Sequence, residues 1–74
     1  MSNITTLTKV DSSMIYAIGY DEKNQILEAV FTRGGIWEYH NFPKEAYQSL
    51  IDSDSIGSHM RYAVLGCYDE VRVS

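Results

Sequence analysis

Two arginines lie next to residues that can help to bind an anionic ligand. Arg33 precedes two glycines, and a glycine backbone can approach a ligand closely because it carries no Cβ. Arg61 follows His59 by two residues and directly precedes Tyr62. A guanidinium binds phosphate through parallel hydrogen bonds and stacks on planar rings. We therefore expect a phosphate-bearing ligand here, with a surface ion pair as the alternative for either arginine.

Trp37 and Tyr39 alternate along a predicted strand and so share one of its faces. In nucleic-acid-binding proteins, paired aromatic side chains on a strand stack on bases. In a chain of 74 residues the same rings also suit the core beneath a layer of helices. The core interpretation is favoured, and a ring at the margin of the sheet can serve both roles. The predicted ligand-binding residues are Arg33, Trp37, Tyr39, His59, Arg61 and Tyr62.

No group of residues has the spacing of a catalytic or metal site. Ser12 and Ser13 have no partner base at a recognisable spacing, and their hydroxyls are expected to hold a turn. His40 and His59 fall on different predicted elements, and His40 is expected at the surface. Cys67 is the only cysteine, so no internal disulfide can form, and this side chain is expected to be buried. We predict a protein that is not an enzyme and uses no metal or cofactor.

The length and charge of the chain limit its partners. Its 74 residues suffice for one domain, and a domain of this size buries only about 60% of the surface that its unfolded chain exposes. Self-association into a homo-oligomer is therefore expected to add stability. The net charge of −4 and the scattered Lys and Arg residues argue against binding of long nucleic acids. No signal peptide and no apolar run of about 20 residues is present, so a cytoplasmic location without membrane contact is expected.

Three segments have the composition of strands in an antiparallel meander. Residues 14–20, 26–32 and 36–40 are rich in β-branched and aromatic side chains, and polar or glycine-containing turns separate them. Short turns between consecutive strands favour antiparallel neighbours. Residues 70–73 also alternate and are a candidate for a short C-terminal edge strand.

Two amphipathic segments follow the third strand. Pro43 suits the first turn of a helix, and the apolar residues after it recur at helical spacing. A second helix is predicted over about 58–65, capped by Ser55 or Ser58 and ended by Gly66. The predicted fold class is α+β, with a three-stranded antiparallel meander and two helices packed on one face. The N-terminal part of the chain, 1–9, is predicted to be a flexible lead-in, and 10–74 is predicted to be a single domain.

These motifs, in this order, resemble the KTSC domain family. Residues 10–21 read VDSSMIYAIGYD, which is similar to the family's opening V-x-S-S followed by I-G-Y-D. Further similarity is carried, in the family's order, by Leu27–Phe31, Trp37–Tyr39, Phe42–Pro43, Tyr47–Leu50, Ser55–Gly57, Val64 and Tyr68. The resemblance covers about residues 10–68.

The resemblance implies a binding module without catalytic residues. The family is named after a C-terminal extension of some lysyl-tRNA synthetases, and many members are stand-alone bacterial or phage proteins, with RNA binding often suspected. The second helix departs from the family pattern, because His59, Met60 and Arg61 stand where Y-F-N is common, and Leu65 where a basic residue is common. These departures weaken the RNA interpretation.

Three functional hypotheses follow. The first is a non-enzymatic module, with a site that can lie between subunits, which binds and sequesters a small nucleotide-like ligand, for instance a host signal if the protein is phage-encoded. The second is a protein-interaction module that docks through an exposed strand edge or through the face that carries Glu38 and His40. The third is binding of single-stranded RNA or tRNA, which the acidic charge disfavours.

Overall fold

Five antiparallel strands form a single sheet in a computed structural model of the chain, which describes residues 8–9 and 12–74. The strands are neighbours in chain order, so the predicted meander is confirmed as the three long central strands, and the candidate C-terminal edge strand forms as well. The strands are β1 (Thr8–Lys9), β2 (Ile15–Asp21), β3 (Ile26–Phe31), β4 (Gly35–His40) and β5 (Asp69–Arg72).

The short strand β1 was not predicted. It lies within the predicted lead-in 1–9 and pairs with Ile18 and Ala17 of β2. The remainder of the predicted lead-in, 1–7, lies outside the described residues.

One face of the sheet is apolar across the central strands. In the register of the sheet, Ile18 lies opposite Ala29, and Leu27 lies opposite Tyr39. Directly opposite residues of an antiparallel pair point to the same face. Leu27 and Ala29 are two residues apart on β3 and also share a face, so all four side chains lie on one face of the sheet, and all four are buried. We call this face the helix-side face.

The two predicted helical segments cover this face. The first helix, α1 (Lys44–Ile51), begins directly after Pro43, whose extended backbone (φ −70°, ψ 154°) places it before the first turn and not in it. Leu50 of α1 packs in one core cluster with the buried residues of the sheet. The side chain of Tyr20 ties α1 to the sheet, because its ring stacks on that of Tyr47 with centroids 4.8 Å apart.

The second predicted helix is present, but its second half is π-helical. The α-helical part, α2 (Ile56–His59), begins at Ser55, whose side chain accepts a hydrogen bond from the Ser58 N–H. The π-helical segment, Met60–Val64, follows directly, and the Leu65 N–H closes it by donating to the Met60 carbonyl at 2.8 Å. Hydrogen bonds five residues apart mark a π-helix, which side-chain periodicity does not distinguish from an α-helix. The segment places Met60 and Val64 in the core.

Within the described residues, no helix has the length and apolar character needed to cross a membrane.

Candidate ligand-binding clefts

The six predicted site residues do not form a single cluster. Trp37 and Tyr39 line one cleft, and Arg61 lines another. His59 is half-buried in α2, and Tyr62 projects from the π-helical segment with 81% of its surface exposed, and neither lines either cleft. Arg33 is exposed in the turn between β3 and β4, next to Gly34 of the first cleft.

The first cleft, called the Trp37 cleft, lies where β4 and β5 meet the end of the π-helical segment. Its volume is about 460 Å³, which falls in the range of small-molecule sites. Its walls are mostly apolar, and one carboxylate projects into it. The lining residues are Phe31, Gly34, Trp37, Tyr39, Leu65, Gly66 and Glu70.

The structure separates Trp37 from Tyr39. Tyr39 is only 1% exposed and belongs to the core, whereas Trp37 is half-buried at the margin of that core. The indole Nε1–H of Trp37 donates to the Gly34 carbonyl at 2.8 Å, which fixes the plane of the ring. The sequence left the core and binding roles of these two rings open. Both rings line the cleft, but Tyr39 is fully part of the core, whereas Trp37 is only partly covered by it.

Two charged residues of β5 lie next to Trp37, which is on β4. Arg72 is the direct cross-strand partner of Trp37, so both side chains lie on the helix-side face. The Nε–H of Arg72 donates to the Ser74 carbonyl at 3.3 Å. Glu70 lies opposite Tyr39, and its Oε1 accepts a hydrogen bond from the Gly66 N–H at 3.0 Å. Trp37, Arg72 and Glu70 therefore share one face where β4 pairs with β5, and Trp37 and Glu70, but not Arg72, line the cleft. Sequence reasoning missed the two charged residues, because they become neighbours of Trp37 only through the pairing of β4 with β5.

Burial keeps the Tyr39 hydroxyl protonated. Desolvation, with a smaller contribution from the negative charge of Glu70, raises the pKa of Tyr39 to about 12. Tyr39 is therefore a neutral group at the base of the cleft at physiological pH.

The second cleft is polar and brings together two distant serine segments. It has a volume of about 340 Å³ and is lined by Ser12, Ser13, Met14, Asp54, Ser55, Ile56, Gly57, Ser58 and Arg61. The Ser12 hydroxyl holds a turn, because it accepts from the Met14 and Ile15 N–H groups at 3.2 and 3.3 Å. A Cβ added to Gly57 would lie 3.1 Å from the Ser12 Oγ, so the two segments approach closely. Both segments carry motifs in the sequence, but nothing in their spacing shows that they meet.

His40 and Cys67 line a third cleft of about 360 Å³, together with Asn41, Gly66, Tyr68 and Asp69. As expected, His40 lies near the surface, where its Nε2 is 3.1 Å from the Glu38 Oε1. The expectation that Cys67 is buried was wrong, because it follows Gly66 in the turn that leads to β5 and is exposed there. Among the described residues, no three His, Cys, Asp or Glu side chains are placed to hold a metal ion.

Comparison with known proteins supports the family resemblance. The model of the KTSC domain family matches residues 11–68. The crystal structure of a KTSC domain protein from Yersinia pestis has a TM-score of 0.91 and 29% identity, and the similarity covers 93% of this chain and 97% of that one.

Two bacterial relatives are similar over most of their length. An uncharacterized protein of Stutzerimonas stutzeri is 40% identical over 50 residues, which are 68% of this chain and 70% of that protein. A protein of Tsukamurella paurometabola is 42% identical over 48 residues, which are 65% of this chain and 72% of that protein.

Proposed function

Since the chain belongs to the KTSC domain family, we propose a function for the cleft that this fold creates beside β5. The protein is a non-enzymatic module that binds a small nucleotide-like ligand, and the base of the ligand stacks on Trp37. Arginine side chains beside the ring hold the phosphate.

The position of Trp37 carries the proposal. A tryptophan that served only the core would be covered, as Tyr39 is, but Trp37 is half-buried and forms a wall of a cleft of about 460 Å³. Its hydrogen bond to the Gly34 carbonyl holds the ring before a ligand arrives, which lowers the entropic cost of binding. Stacking of a base on such a ring contributes about 1–3 kcal/mol.

Two arginines near the cleft are proposed to hold the phosphate. Arg72 shares the helix-side face with Trp37, and Arg33 lies in the turn that leads into β4. Two local cations suffice for one or two phosphates, whereas the net charge of −4 opposes a long polyanion. The proposal therefore favours a small nucleotide over single-stranded RNA or tRNA.

Glu70 gives the cleft a preference among bases. One of its oxygens accepts from the Gly66 N–H, and a carboxylate has further lone pairs for other donors. The exocyclic amine of a base is such a donor, and carboxylates accept from the cytosine amine in nucleic-acid complexes. Adenine, cytosine and guanine ligands are therefore expected to bind more tightly than uracil ligands.

The absence of catalysis is also part of the proposal. The cleft presents an indole, a carboxylate and a tyrosine whose raised pKa opposes its use as a base near neutral pH. Such a module can sequester a nucleotide in the bacterial cytoplasm, and a phage-encoded copy would use the same chemistry against a host signal.

Isothermal titration calorimetry with a panel of ligands tests the proposal. The panel contains AMP, cyclic AMP, UMP, a cyclic dinucleotide and a single-stranded RNA oligomer. We expect saturable binding of at least one adenine-containing small ligand, weakened by about 5- to 150-fold in Trp37→Ala and by about tenfold or more in Arg72→Ala. Tyr62→Ala removes an aromatic ring that lies outside the cleft and serves as the matched control.

Two results would contradict the proposal. One is that no small nucleotide binds at a concentration of about 1 mM, at which even a weak specific site would be partly occupied. The other is binding that Arg61→Ala abolishes and Trp37→Ala leaves intact, which would move the site to the polar cleft.

A further inference from the structure

Strand β5 lies at one edge of the sheet, and its residues, Asp69–Arg72, are exposed. It pairs with β4 on one side only, so the backbone groups on its outer side have no strand partner among the described residues. An exposed edge of this kind is a template for another strand.

The hydrogen-bonding pattern shows which backbone groups face outward. The Val73 N–H donates to the Ile36 carbonyl at 2.7 Å, so Val73 is bonded to β4. Antiparallel partners alternate between bonded and non-bonded pairs, so Val71 is bonded to β4 and its neighbours Glu70 and Arg72 are not. The N–H and C=O groups of Glu70 and Arg72 therefore point away from the sheet.

We propose that a second copy of this chain occupies this edge, with the two β5 strands antiparallel about a two-fold axis at Val71. In this register Glu70 of each copy lies opposite Arg72 of the other. The outward backbone groups of these residues then form two hydrogen-bonded pairs, and the two sheets become continuous.

The side chains of β5 select this register. Glu70 and Arg72 point to the helix-side face, because they lie opposite Tyr39 and Trp37, and in the dimer they form two opposite-charge pairs. Val71 is 48% exposed on the other face and would meet Val71 of the second copy. A register shifted by two residues in either direction places Glu70 opposite Glu70 or Arg72 opposite Arg72. Like charges directly opposite each other destabilise strand pairs, so these registers are disfavoured.

The dimer also extends the Trp37 cleft. Glu70 lines the cleft, so Arg72 of the second copy would lie at its margin and add a cation there. The dimer does not depend on a ligand, because its backbone and charge pairs are complete without one.

Charge reversal tests the interface by sedimentation velocity. The unmodified chain is expected to dimerise at micromolar concentrations. Glu70→Arg presents two arginines and Arg72→Glu presents two glutamates, so each variant alone repels its own copy, and its dimer dissociation constant should rise by about tenfold or more. An equimolar mixture of the two variants restores both opposite-charge pairs and is expected to give a one-to-one heterodimer.

Two charge changes elsewhere serve as matched controls. Lys23→Glu alters an exposed residue in the β2–β3 turn, and Glu45→Arg alters an exposed residue of α1 whose charge acts on Tyr20 of β2. Strands β3 and β4 separate β2 from β5, so both variants should leave the dimer intact. Unchanged far-ultraviolet circular dichroism verifies that each variant folds.

Hydrogen exchange on the unmodified chain gives a readout that needs no variant. The amides of Glu70 and Arg72 should become more protected as the protein concentration rises, whereas the amide of Val71 should be protected at every concentration. A monomer at 100 μM, a dimer that survives both single reversals, or no heterodimer in the mixture would each overturn the proposal.

Discussion

The stability of the protein should fall above pH 10 because Tyr39 is buried. An unfolded tyrosine ionises with a pKa of 10.0, whereas burial and Glu70 raise the folded pKa of Tyr39 to about 12. Below pH 10 the hydroxyl is protonated in both states, so Tyr39 ionisation does not change the free energy of unfolding. Between pH 10 and 12 only the unfolded chain loses this proton, so rising pH favours unfolding.

The size of this loss follows from the difference between the two pKa values. Each pH unit between them costs about 1.4 kcal/mol, so at pH 11 the free energy of unfolding should be about 1.4 kcal/mol lower than at pH 8. For a domain of this size, that loss lowers the melting temperature by roughly 5–11 °C. Any further loss of stability in this pH range should come from Tyr20 and Tyr47, whose pKa values are also raised, chiefly by burial.

Urea unfolding at pH 8, 9, 10 and 11 measures this effect, and Tyr39→Phe is the matched variant because it keeps the ring and removes the ionisable group. The variant should lose most of the alkaline slope. If its slope equals that of the unmodified chain, or if absorbance at 295 nm shows all six tyrosines ionising together near pH 10, Tyr39 is not buried as described. The separation of core and cleft along β4 would then be wrong.

Two substitutions test the packing that supports the cleft, each by urea unfolding. Leu50→Ala removes a fully buried side chain of α1 and should lower the free energy of unfolding by about 2–5 kcal/mol, whereas a loss below about 1 kcal/mol would show that α1 does not close the core. Gly35→Ala places a Cβ 2.4 Å from the Ser74 carbonyl at a residue with φ of +85°, so it should cost about 1–3 kcal/mol. Unchanged stability and unchanged exchange of the β5 amides in this variant would contradict the pairing of β4 with β5.

Most of the fold was predictable because local signals agree with the tertiary structure. The β-branched and aromatic runs at 14–20, 26–32 and 36–40 are separated by short turns, and such turns leave antiparallel pairing as the simplest arrangement. Ser55 caps α2 and Gly66 follows the π-helical segment, as their residue types indicated. The π-helical hydrogen bonds were not predictable, because they leave the apolar spacing almost unchanged.

The sites were less predictable because they depend on contacts between distant segments. Arg72 and Glu70 flank Trp37 only because β5 pairs with β4 in a particular register. Ser12 meets Gly57 across more than half the chain, and no periodicity in the sequence encodes that contact. The difference in burial between Trp37 and Tyr39 likewise depends on where the helices end above the sheet.

Fluorescence of the single tryptophan tests most directly whether the cleft binds a nucleotide. Because Trp37 is the only tryptophan, the indole emission reports on the surroundings of this one ring. Titration with adenine-containing nucleotides should quench and shift the emission saturably, with the same midpoint that calorimetry gives, and Tyr62→Ala should behave like the unmodified chain. Emission that stays constant while calorimetry detects binding would contradict the stacking of a base on Trp37.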